Sequence, residues 1–123
     1  MPDSAFARLT EQFIAHIDVE RGLSKATVAA YESDLAKYVS WLEAHGVSSP
    51  RDIARQHVED YVAALDAEGE SANSKARRLA SIHMFHRFAL SEHAVDDDVA
   101  AAVKAPKGAG TLPDVLSVDE VAR

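Results

Sequence analysis

The chain contains no cysteine in 123 residues. That excludes a disulfide framework and cysteine-ligated zinc, and it suits a reducing compartment, so a cytoplasmic setting is expected. Long hydrophobic runs are missing too, and the N-terminus has no basic stretch leading into an apolar one. Neither a membrane partner nor a secretory signal is therefore expected. The few glycines and prolines, five and four, form no glycine-rich phosphate cradle. No paired-carboxylate spacing or activated nucleophile stands out either, so the chain as given is not expected to be a self-contained enzyme, and no cofactor is expected.

The most telling absence is local. Although the chain carries 20 acidic residues and a formal net charge of -7, none of the acids falls between Ser71 and Ser91. That stretch holds Lys75, Arg77, Arg78 and Arg87, a local charge of +4. An acidic total argues against a nucleic-acid partner, but exposed charges more than about 8–10 Å apart are largely screened from one another at cellular salt. Location therefore outweighs the total, with acidity lowering non-specific affinity. Clustered Lys, Arg, Ser and Asn on one helix suit a phosphate-lined groove.

Hydrophobic periodicity predicts an all-α chain, with no convincing period-2 strand. A first helix is expected from about Ser4 to Arg21, with Phe6, Leu9, Phe13, Ile14 and Ile17 on its apolar face and Gly22 as its stop. Ser24 caps a second, to about His45, whose stripe is Val28, Tyr31, Leu35, Tyr38, Val39 and Leu42; Gly46 closes it. Ser49-Pro50-Arg51-Asp52 predicts a short turn into a third helix, roughly Gln56 to Glu68, ended by Gly69. The fourth runs from about Ser71 to His93, and a fifth is expected over Asp98 to Val103. Two prolines and two glycines then interrupt Lys104 to Pro113, which reads as an extended linker bearing Lys104 and Lys107. Ser117-Val-Asp-Glu120 has a capping-box pattern, so a further helix is expected to begin there.

On a helical wheel the fourth helix divides. Leu79, Ile82, His86 and Ala89 point toward a core, while Ser74, Arg77 and Ser81 share the opposite face, flanked by Asn73 and Arg78. Such side chains hydrogen-bond phosphates, and Arg or Asn can also read base edges in the major groove. The bland alternative is a solvated helix face. Lys25, Ser33 and Lys37 lie off the stripe of the second helix and either extend the basic surface or solubilise it. His83 and His86 have metal-pair spacing, but no acid on the helix completes a set and His86 centres the apolar stripe, so no metal site is expected. Tyr31, Tyr38, Tyr61 and Trp41 read as packing residues.

Glu20-Arg21-Gly22-Leu23-Ser24, Thr27, Tyr31, Asp34-Leu35 and Trp41-Leu42 together resemble the start of the N-terminal core-binding domain of Xer-type tyrosine recombinases. The stretch Ala76-Arg77-Arg78-Leu79-Ala80-Ser81-Ile82-His83-Met84-Phe85-His86-Arg87-Phe88 is similar to that family's later helix signature. Lys104-Ala105-Pro106-Lys107 and Leu112 to Ser117 resemble its linker. In this chain His83 stands where the family often has Arg, His86 where it usually has Tyr, and Asp98-Val99 replaces a common Asn-Pro.

The resemblance implies a SAM-like bundle of four to five helices over residues 1–103, an extended basic linker over 104–116, and the start of a missing catalytic domain over 117–123. It implies binding of double-stranded DNA, with the second and fourth helices crossing in or over the major groove and the linker leading to the opposite face. Other recombinase protomers would join in a tetramer. The parent would cut and rejoin DNA through a tyrosine in the missing region, serving chromosome-dimer resolution; this chain has no His-x-x-Arg sequence of the catalytic kind. DNA contacts are expected at Lys25, Ser33, Lys37, Asn73, Ser74, Arg77, Arg78, Ser81, Lys104 and Lys107. A reading from another class is an acidic helical protein-interaction module, meeting a basic partner through Asp66 to Glu70 and Asp96-Asp97-Asp98.

Overall fold

Two serines open the two longest helices. Ser24 and Ser71 both sit in extended backbone, and each side-chain oxygen accepts a hydrogen bond from an N–H in the first helical turn, Thr27 at 3.1 Å and Ser74 at 3.1 Å. The computed structural model describes residues 5–20 and 22–104. It comprises α1 (Ala5–Glu20), α2 (Lys25–Ala44), α3 (Arg55–Ala67) and α4 (Ala72–Ser91), with one 3-10 turn at Pro50–Asp52. Ser49 caps that turn by accepting from the Arg51 N–H at 3.3 Å. α3 begins without a capping oxygen; the His57 ring reaches back instead, and its Nδ1 accepts from the Ala54 N–H at 2.9 Å.

The expected all-α bundle is present, and no strand occurs among the described residues. α2 packs against both α1 and α4, and α3 closes over α2 and α4. The inward faces are those the periodicity selects: Phe6, Leu9, Phe13 and Ile17; Leu35, Tyr38 and Leu42; Val58, Tyr61, Val62 and Leu65; Leu79, Ile82 and Ala89. Phe85 and Phe88 join them, and Phe13 meets Phe85 edge-on at 5.8 Å. Each such buried aromatic contributes about 1.5–3 kcal/mol. No helix among the described residues is long and apolar enough to cross a membrane.

α2, α3 and α4 all end in the same motif, in which the second residue past the cap bonds the carbonyl three residues inside the helix end. Val47 N–H donates to Leu42 O, Glu70 N–H to Leu65 O and Ala94 N–H to Ala89 O. The motif requires a left-handed residue, which is Gly46 in α2 (φ +87°) and Gly69 in α3 (φ +80°). In α4 it is His93, at φ +62°.

One expected element is absent. Residues 98–103 form turns rather than a fifth helix, with Asp98 accepting from the Ala100 N–H at 3.2 Å and Val103 N–H donating to Ala100 O. Six residues are too few to repay helix nucleation. Ala100 and Val103 are nevertheless buried and pin this segment to the bundle. The expected linker beyond Lys104, Lys107 within it and the helix expected after Ser117 lie outside the described residues.

Candidate nucleic-acid interface

The acid-free stretch of α4 is not acid-free in space. Asp34 projects from α2 against α4 with its side chain 1% exposed. It accepts from Arg77 twice, Nε at 2.9 Å to one oxygen and Nη2 at 2.8 Å to the other, in a parallel fork. Ser81 Oγ donates to it at 3.0 Å and Arg78 Nη1 at 3.3 Å. A buried carboxylate is stable only when its lone pairs are satisfied, and here four donors converge on one.

The network extends outward. Arg78 Nε donates to Glu70 at 2.8 Å, and Lys37 reaches Glu68 at 2.8 Å and Glu70 at 3.8 Å. Lys75, buried along its stem, donates to Asp66 at 2.7 Å. Four cations, Lys37 of α2 and Lys75, Arg77 and Arg78 of α4, therefore face four carboxylates, so three of the four basic residues read from the α4 sequence are paired by acids of α2, α3 and the α3–α4 turn. The hydrogen bond and charge of Asp34 raise the Arg77 pKa above the usual arginine value. Burial acts to lower that of Arg78, but Glu70 and Asp34 outweigh it and the net shift is upward. The hydrogen bond from Arg78 lowers the Glu70 pKa.

This geometry sorts the expected contact residues. Arg77 lies at the surface, its side chain 44% exposed, with Nη1 unpartnered among the described residues. Asn73 is exposed and Ser74 half-buried, and neither side chain has a hydrogen bond among the described residues. On α2, Ser33 is exposed and Lys37 stands one turn on, half-buried. Of these five, Arg77 is bonded across the α2–α4 junction and Lys37 to the α3–α4 turn; Asn73 and Ser74 lie in the first turn of α4 and Ser33 beside Asp34 in sequence. Ser81 is fully buried, beneath Asp34 rather than on the outer face the wheel gave it. Arg78 is 17% exposed and committed to Glu70 and Asp34. Lys25, the first residue of α2, is exposed about 13 Å along the helix axis from Asp34. Lys104 is exposed at the other end of the described chain, just past the Val103 carbonyl that accepts from His83 Nε2 at 2.9 Å. That bond gives His83 a definite place: it ties α4 to the segment leading out of the bundle.

Sequence reasoning missed Asp34, Glu68 and Glu70 as partners of the basic face. Asp34 and Arg77 are 43 residues apart, and no periodicity within one helix reports such a pairing. The available signal was Asp34 itself, an acid one residue before the buried Leu35.

His86 occupies the core position expected of it, 1% exposed, sharing a hydrogen bond of 2.8 Å between its Nε2 and the Tyr38 hydroxyl. Burial pushes the His86 pKa down to about 4 and raises that of Tyr38, so both are neutral at pH 7. Tyr61 is buried beside Tyr38, and burial pushes it up to about 12. Trp41 stacks on His45 at 3.9 Å. Among the described residues no group of three or more His, Asp or Glu side chains is placed to hold a metal ion.

The described residues form an all-helical bundle whose second and fourth helices meet at an exposed, carboxylate-held arginine. Residues 10–93 match the family model described as phage integrase, N-terminal SAM-like domain. The chain belongs to that family, as the N-terminal SAM-like domain of a Xer-type tyrosine recombinase. It is 71% identical over 120 residues to the tyrosine recombinase XerD of Bifidobacterium longum (strain NCC 2705), covering 98% of this chain and 39% of the relative. It is 44% identical over 119 residues to the tyrosine recombinase XerD of Corynebacterium glutamicum, covering 93% and 39%. Against that of Staphylococcus aureus the identity is 38% over 113 residues, covering 92% and 38%. The chain thus spans about two fifths of the length of the curated relatives it matches. No solved structure matches it.

Proposed function

We propose that this domain binds double-stranded DNA through the α2–α4 junction, as the gripping module of a site-specific tyrosine recombinase. The observation that carries this reading is Arg77, held in a two-pronged ion pair by buried Asp34 yet 44% exposed at the crossing of two helices. Asn73, Ser74, Ser33 and Lys37 add phosphate-bonding groups, with Lys25 and Lys104 farther along the chain. Arg78 and Ser81 contribute by holding Asp34. Lys107 would add a contact from the linker. The whole recombinase, with a catalytic region beyond this chain, would cut and rejoin DNA as a tetramer of protomers in the cytoplasm, in the resolution of chromosome dimers.

The test is a salt titration of binding to a short labelled duplex. Neutralising several phosphates makes log K fall linearly with log salt, by about 0.9 per phosphate, so affinity drops steeply between about 50 and 200 mM. Arg77→Ala weakens binding. A flat response in the wild type, or no binding at low salt, overturns the reading.

A second reading, a protein-interaction module, has one specific observation in its favour. A groove of about 400 Å³ between α1 and α2 has Ile14 and Val39 in its lining and Glu11, Glu32 and Glu43 around them, with no cation. The acidic stretches expected to serve that role are less available: Asp66, Glu68 and Glu70 are paired with Lys75, Lys37 and Arg78, and Asp96 with Arg51. Retention on DNA that is unchanged in an Arg77→Ala/Arg78→Ala double variant selects this reading over the first.

A further inference from the structure

Asp34 is a curious residue for a DNA-binding face. It places a full negative charge in the middle of the only cationic cluster of α4, where it weakens attraction to phosphate. Simple charge complementarity would exclude it. Its geometry suggests what it does instead.

A guanidinium has five N–H groups, arranged as a side fork of Nε and Nη2 and an end fork of Nη1 and Nη2. Asp34 takes the side fork of Arg77, with bonds of 2.9 and 2.8 Å to its two oxygens. The carboxylate is itself immobile, because it is buried and gripped by Ser81 and Arg78. The single Ser81 hydroxyl proton lies between Asp34 and the Arg77 carbonyl, 3.1 Å from the hydroxyl oxygen, as a shared hydrogen bond. What remains of Arg77 is the end fork, whose Nη1 has no partner among the described residues, on a side chain nearly half exposed. An unrestrained arginine samples many rotamers and acts as a mobile charge. This one has its plane fixed and two parallel donors left over, the arrangement that matches a pair of acceptors such as guanine O6 and N7.

We propose that Asp34 is a specificity-determining positioning residue: it exchanges non-specific phosphate attraction for a fixed orientation of the Arg77 end fork, so that Arg77 reads an acceptor pair on a base edge. The inference rests on the DNA-binding reading above and deepens it. Arg77 is the contact. Asp34 touches no DNA and acts only through it. Ser81, which sequence periodicity put on the DNA face, is the buried brace that keeps Asp34 in register.

The test is selection from a pool of random-sequence duplexes with the 123-residue chain, followed by affinity measurements on the selected duplex and on the unselected pool. The wild type enriches a motif, with a guanine position in it. Asp34→Asn keeps the shape but removes the charge and half of the fork. It binds the unselected pool more tightly, with a steeper salt dependence, and its ratio of selected to pool affinity falls by about tenfold, within the range one bidentate base contact supplies. A merely structural role for Asp34 would lower both affinities together and leave the ratio alone. Arg77→Lys, which keeps the charge and lacks the fork, also loses the enrichment at that guanine, and it decides the matter should Asp34→Asn fail to fold. Failure of the wild type to bind the pool at low salt overturns the DNA-binding reading itself. Binding with no enriched motif, or an enrichment that survives Asp34→Asn or Arg77→Lys, overturns this inference and leaves that reading standing.

Discussion

His86 shows how much one buried side chain constrains the domain. It lies at the centre of α4's apolar face with its ring bonded to the Tyr38 hydroxyl, and its Nδ1 is buried without a partner among the described residues. Burial holds the folded-state pKa near 4, against 6.5 for the free side chain. Between those values the unfolded chain binds a proton that the folded domain refuses, so stability rises with pH through the window. The contribution is fully present above pH 6.5 and is lost as the pH falls toward 4. At about 1.4 kcal/mol per pH unit, acidification from pH 7 to 4.5 costs about 2–3 kcal/mol. Glu70, whose pKa is lowered from 4.5, adds its own loss only below that range. Urea unfolding at the two pH values measures the difference. His86→Phe removes the step while costing about 1–3 kcal/mol at pH 7, because the Tyr38 hydroxyl is left buried and unpaired. A wild type equally stable at pH 7 and 4.5 contradicts this account of His86.

At the scale of elements, the termination of α4 carries a prediction. α2 and α3 close on glycines in the left-handed region, and α4 closes identically on His93 at φ +62°. An L-residue pays about 1 kcal/mol for that backbone, and among the described residues the exposed His93 ring has no bonded partner to offset it. The neighbouring clamp, Arg51 Nη2 to the His93 carbonyl at 2.6 Å and Nη1 to Asp96 at 2.8 Å, uses only the backbone of His93. His93→Gly should therefore stabilise the domain by about 0.5–1 kcal/mol, read as a rise of several degrees in Tm; a fall in Tm would show that the left-handed turn is not limiting. The same helix shows which parts of the fold were legible. Ser71, the period of Leu79, Ile82, His86 and Ala89, and the glycines of the other helices are local signals, and the four main helices lie within a residue or two of where these put them. No glycine marks the end of α4, so the pattern extends to His93 while the helix stops at Ser91. Asp98 to Val103 satisfies a helical pattern, with a cap and alanines, without the length needed to nucleate. The site was half legible: composition located the basic face and the wheel found Arg77 on its outer side. The wheel also put Ser81 outside, since angular position alone cannot report that α2 lies over that part of α4. Asp34, Glu68 and Glu70 arrive at the basic face through tertiary packing, and nothing near Arg77 in sequence announces them.

For the whole molecule, the proposed DNA binding requires a chain of net charge -7 to approach a polyanion. On the α4 side the carboxylates are paired with cations, while the carboxylates in the lining of the α1–α2 groove have no cation beside them there. Asp34 and Lys37 face α4 and the α3–α4 turn, whereas Glu32 and Glu43 line the groove against α1 together with Glu11. Opposite sides of one helix are about 10–12 Å apart. At physiological salt the Debye length is about 8 Å, so the groove carboxylates are largely screened from a duplex lying on the α4 side; at about 10 mM salt it is about 30 Å and they are not. A Glu11→Gln/Glu32→Gln/Glu43→Gln variant should then bind duplex DNA several-fold more tightly than wild type at about 10 mM salt, through long-range repulsion removed. Near 150 mM the two should agree within about twofold. Arg77→Ala, which removes a contact rather than a distant field, weakens binding at both concentrations. Titrations of the three proteins at the two ionic strengths separate the cases. A gain for the triple variant that persists at 150 mM would place the α1–α2 groove beside the DNA and move the interface to the other side of α2.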